Sequence, residues 1–132
     1  MKIQIIVNNI FRQNFKNHRV LGRVLFGISM LFLGLLNLFN VSSFAGYAPD
    51  YLPVPSLLVV LVGVVLTFAG FALFANVHVI RSSQLIALVF LSFIAIVNLP
   101  QGNMLELSQN VAFTGAALLI STLSREERSS ED

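Results

Sequence analysis

Residues 57–74 carry no charged side chain at all. A helix needs about 20 predominantly apolar residues to cross the hydrocarbon of a bilayer, and this stretch meets that length. Three further apolar runs accompany it. Residues 20–39 are interrupted only by Arg23, Ser29 and Asn37 among glycines and apolar residues. Residues 85–99 contain Ser92 and Asn98 as their only polar members, and residues 111–123, the weakest run, hold Thr114, Ser121 and Thr122. The last two reach spanning length when flanking polar residues sit at the interface, which extends them to 82–99 and 108–123.

Composition decides how these runs are solvated. The chain is 56% hydrophobic and only 11% charged over 132 residues, whereas a soluble domain carries roughly a quarter charged residues. A globule of this size would lack a polar shell, so lipid is the expected solvent. The expectation is an all-α integral membrane protein, a four-transmembrane-helix bundle formed by residues 20–123. The tripeptide Ser43-Phe44-Ala45 resembles a signal cleavage site, but a signal core usually has about 7–15 residues. The first run is longer and reads as a retained helix.

Orientation follows from the basic residues. Lys2, Arg12, Lys16, Arg19 and Arg23 precede or open the first run, Arg81 separates the second and third, and Arg125 and Arg128 follow the fourth. The two remaining loops hold only Asp50 and Glu106 as charges. The positive-inside rule then places both termini and the Arg81 loop in the cytoplasm. Within residues 1–19, Ile3, Ile6, Val7, Ile10, Phe11 and Phe15 recur at helical spacing among Lys2, Arg12, Lys16 and several asparagines. This pattern predicts an amphipathic interfacial helix on the cytoplasmic leaflet. Residues 124–132, of mixed charge, are expected to form a solvated, frayed tail.

Lipid supplies no hydrophobic drive for helix association, so small residues must let backbones approach. Gly27 and Gly34 lie seven positions apart on the first helix, and Gly63 and Gly70 repeat that spacing on the second. Each pair predicts an inward-facing stripe, the two set against each other. Gly115 with Ala116 and Ala117 suggests a similar surface on the fourth helix. The 12 phenylalanines are expected mostly as bundle filling.

Polar residues gather at the outer end. Asn37 and Asn40 close the first helix there, and Asn98, Gln101 and Asn103 end the third. Glu106, Gln109 and Asn110 open the fourth. Polar groups at membrane depth are costly and turn inward, where they pair or bind something. Either the amides hold the bundle mouth together, or Asn37, Asn98, Gln101, Glu106 and Asn110 form a site for a polar-headed ligand. Cysteine is absent, which removes disulfides, thiolate metal sites and thiol redox chemistry. His18 and His78 have no nearby carboxylate to complete a metal or catalytic set, and no P-loop, nucleophile elbow or dinucleotide fingerprint occurs. No basic block suggests nucleic-acid binding. The sequence points away from catalysis.

The chain from about Val20 onward resembles the DoxX family of small four-helix bacterial membrane proteins. The resemblance is carried by Arg23, Gly27 and Gly34, and by the outer-loop segment Phe44-Ala45-Gly46-Tyr47-Ala48-Pro49-Asp50-Tyr51-Leu52-Pro53. Gly63, Gly70, Arg81, Asn98-Leu99-Pro100 and Gln109-Asn110-Val111-Ala112-Phe113-Thr114-Gly115 complete it. Asn37 and Asn40 stand where many relatives carry a basic or histidine residue. The resemblance implies an accessory subunit of the bacterial inner membrane that contacts lipids and docks on a protein partner, an oxidoreductase for some relatives, or on a second copy of itself. It also leaves open a quinone- or lipid-binding redox accessory, and, as the weaker alternative, a small lipophile transporter.

Overall fold

The computed structural model describes the backbone of residues 1–132 and every side chain except those of Asn14 and Phe15. The Phe15 member of the expected leader face thus lies outside the described residues. The chain is all-helical: α1 (Lys2–Phe39), a short α2 (Val41–Gly46), α3 (Pro55–Phe74), α4 (Val79–Phe93), a π-helical turn (Ile94–Asn98), a three-residue α5 (Leu99–Gln101) and α6 (Met104–Glu131). The α4 segment continues through the π turn and α5, so Val79–Gln101 acts as one rod. Lys2–Phe39, Pro55–Phe74 and Val79–Gln101 are each long and apolar enough to cross a membrane. The α6 helix is long but more polar, and is not among them.

α1 packs along α3, α4 packs along α6, and a smaller α3–α4 contact joins the two pairs. The first pairing is made by glycine. A Cβ added to Gly27 would lie 2.9 Å from Gly70 O, and one added to Gly34 would lie 2.8 Å from Gly63 O. At Gly70 it would meet Gly27 O at 2.7 Å and the backbone nitrogen of Leu31. These neighbours are backbone atoms that cannot swing aside, so the two helices touch main chain to main chain. Gly115 differs from expectation. It is exposed, with open space where a methyl group would lie, and the buried contact on α6 is made by Ala117, two positions on and on another side of the helix.

Met30, Leu66, Ala69, Leu73, Ile86, Ala87, Phe90 and Ala117 form one core shared by the four long helices. Phe90 and Phe113 join α4 to α6 with ring centroids 5.1 Å apart. Around that core the polarity is inverted. Ser83, Asn98, Thr114 and Ser121 are buried, while Leu57, Leu61, Phe68, Phe71, Leu85, Leu88, Leu118 and Leu119 are exposed. Two of the buried hydroxyls bond one turn back along their own helix. Ser83 donates to Val79 O at 2.8 Å and Thr114 to Asn110 O at 2.8 Å.

Two terminal segments depart from the sequence reading. The leader is helical but does not end before the first apolar run. α1 is continuous from Lys2, because neither glycine nor proline occurs before Gly22 to interrupt it. The expected frayed tail likewise continues α6 to Glu131. Arg19 Nη1 lies 3.3 Å from Glu127 Oε1, and Arg128 stands in the last turn, where a cation favours the helix dipole.

One backbone position is strained. Val54, the residue before α3, has φ 48 and ψ 65. A β-branched side chain in the left-handed region is a genuine outlier.

Candidate functional site

At the end of the bundle where α5 meets α6, the chain turns through Pro100 and Gly102. Pro100 has no N–H, so it cannot serve the carbonyl of Ile96 one helical turn back. The backbone responds with the π turn, in which Leu99 N donates to Ile94 O, five residues earlier. The orphaned Ile96 O accepts instead from the Tyr51 hydroxyl at 2.5 Å. A side chain from the α2–α3 loop therefore closes a gap that proline opened on another helix.

The same π turn delivers Asn98 to the interior, where it is only 1% exposed. Asn110 Nδ2 donates to Asn98 Oδ1 at 2.6 Å, and Asn98 Nδ2 donates to Glu106 Oε2 at 3.4 Å. Asn103 caps α6 by accepting from Glu106 N at 3.4 Å. Of the residues expected at the outer rim, the structure thus brings together Asn98, Glu106 and Asn110. Asn37, half-buried near the end of α1, and Gln101, exposed, make no side-chain hydrogen bond among the described residues. Asn98 uses both ends of its amide on neighbours, so the trio acts first as a clasp between the π turn and α6.

The opposite end holds what the sequence reading passed over. A cavity of about 270 Å³ is lined there by Arg23, Asn76, His78, Glu127, Arg128 and Glu131, together with Val79, Ile80 and Ser124. Arg23 Nη1 donates to Asn76 Oδ1 at 2.6 Å. Its Nε is buried and has no hydrogen-bond partner among the described residues. His78 precedes α4 without a side-chain cap, leaving the first-turn N–H groups without an acceptor from that residue. Asn76 and His78 both occupy the left-handed region, at φ 59 and 47. Read in sequence, Arg23 and His78 look like orientation anchors, and the asparagine in the α3–α4 turn is the one local signal, since asparagine tolerates that conformation.

Among the described residues, no group of three or more His, Cys, Asp or Glu side chains could hold a metal ion. No protein-family model, curated protein or solved structure significantly matches the chain.

Proposed function

We propose that the chain is an integral membrane protein that crosses the bilayer four times with both termini on the cytoplasmic side, and that it serves as a non-catalytic accessory subunit for a partner in the same membrane. The likeness to DoxX-like proteins, which rests on the residues quoted above, and a bacterial inner-membrane location are part of this proposal. Support for the fourth crossing comes from α6 itself. Its outward residues Val111, Leu118 and Leu119 are apolar, while Thr114 and Ser121 are buried, which suits a helix facing lipid.

The observation that carries docking is the length of α1. Its 38 residues span about 57 Å at 1.5 Å per residue, against about 30 Å of hydrocarbon. The excess is residues 2–18, whose described side chains are all exposed. Folding this segment onto the leaflet would need a break that α1 lacks. As a projecting arm it offers Ile3, Ile6, Val7 and Ile10 beside Lys2, Arg12 and Lys16, the pattern of a helix that enters an apolar groove with an acidic rim. A quinone or lipid head at the outer rim is the weaker reading, because Asn98 is already engaged at both ends. Transport is weaker still, since α3 is unbroken and uncharged.

Extraction of natively expressed protein in mild detergent should recover a stoichiometric partner. The pair Ile6→Ser and Ile10→Ser should release that partner without lowering the helical content of the bundle. A clean monomer from native membranes would remove the docking proposal.

A further inference from the structure

The cavity between the start of α4 and the end of α6 is unlike the outer clasp, because its charges are not spent on one another. Arg23 lines the cavity, and among the described residues its guanidinium makes one neutral hydrogen bond, to Asn76, while its buried Nε has no acceptor. The uncapped first turn of α4 borders the same space through Val79 and Ile80. Arg128 adds a second cation on the α6 side. These groups together favour an anion with several acceptor oxygens.

The acids on the wall refine that choice. Glu127 is held by Arg19, but Glu131 forms no salt bridge among the described residues and lines the cavity with Arg23 and Arg128. A simple anion would be repelled by this carboxylate, whereas a ligand carrying both signs would use it. A smaller cavity of about 30 Å³ shares Arg23, Ser124 and Glu127 with the first and adds the apolar Val20, Ile120 and Leu123. Apolar lining next to a two-sign polar chamber suits a headgroup with a hydrocarbon continuation.

We infer that this cavity binds a phosphate ester bearing an ammonium group a short link away, with the phosphate on Arg23 and the α4 first turn and the ammonium on Glu131. Phosphoethanolamine has this chemistry, either as a lipid headgroup or as the free compound.

Binding is measured on the full chain in detergent, by native mass spectrometry and by calorimetry. The probes are dihexanoyl phosphatidylethanolamine, dihexanoyl phosphatidylglycerol and free O-phosphoethanolamine. The ethanolamine lipid should bind at least tenfold more tightly than the glycerol lipid, and Arg23→Gln and Glu131→Gln should each weaken it about tenfold. Glu131 lies in the exposed last turn of α6, so its variant reports on the site even if Arg23→Gln unfolds. Tight binding of the lipid alone assigns the lipid source, and equal binding of O-phosphoethanolamine assigns the soluble one. Equal affinity for the two lipids, no binding of any probe, or a Glu131→Gln variant that binds like the parent would overturn the inference.

Discussion

The Tyr51 hydroxyl donates to the carbonyl oxygen of Ile96 at 2.5 Å, the acceptor left without its usual N–H by Pro100. Removing that hydroxyl in Tyr51→Phe deletes an exposed hydrogen bond and should cost about 0.5–1.5 kcal/mol, read as a lower unfolding midpoint in detergent. Pro100→Ala restores a backbone donor one turn from Ile96. In that background the cost of Tyr51→Phe should shrink, and a double-mutant cycle measures the coupling directly. Equal costs in both backgrounds would show that the two residues act independently.

Gly70→Ala is expected to be among the most damaging single changes in the chain. Its methyl would meet backbone atoms of Gly27 and Leu31, so α1 and α3 would have to separate, at a cost of about 1–3 kcal/mol or more by analogy with overpacked cores. Gly115→Ala should be neutral or stabilising by up to about 1 kcal/mol, because the added methyl meets nothing and alanine favours helix. Thermal unfolding of the two variants side by side makes the comparison. A benign Gly70→Ala would mean that the helices are not held at this distance.

The spacing of Gly27, Gly34, Gly63 and Gly70 was readable because a missing side chain is a steric fact carried by residue type. The convergence of Asn98, Glu106 and Asn110 was readable too, since topology alone brings the ends of neighbouring helices together. Asn37 and Gln101 share that end of the chain order but not the hydrogen-bond chain, because the π turn rotates Asn98 inward and no such shift involves them. Pro100 hints at the π turn without specifying which carbonyls are orphaned or who rescues them. The cavity at Arg23 was hardly readable, with Asn76 in the α3–α4 turn as its one local signal. Its walls come from α1, the α3–α4 turn and α6, and they meet only because the supposed tail remains helical.

Asn98→Ala should destabilise by about 1–3 kcal/mol, since it strips Asn110 of its acceptor in a buried setting. Asn37→Ala and Gln101→Ala should each stay within about 0.5 kcal/mol of the parent. If all three substitutions behave alike, the clasp contributes nothing specific.

Val54→Gly should raise the unfolding midpoint. The left-handed conformation costs a β-branched residue about 1–2 kcal/mol, and glycine adopts it freely at a smaller entropic cost. An unchanged or lower midpoint would argue that Val54 makes compensating contacts.

The proposed four-crossing topology can be tested with single cysteines, because the chain has none of its own. A membrane-impermeant maleimide applied to intact cells should label Ser43→Cys, but reach Val77→Cys and Ser130→Cys only after permeabilisation. External labelling at position 130 would reduce the crossings to three.

The paired glycines of α1 and α3 have one more consequence. Gly27 faces Gly70 and Gly34 faces Gly63, so the helices run in opposite directions and the contact is a key with two notches. Sliding one helix by the notch spacing would still let a single pair of glycines meet, but it would push the other two onto side chains. Only one alignment seats both notches. Two residues on each side of the key therefore choose the partner helix's direction and its register along the axis together, without any polar group taking part.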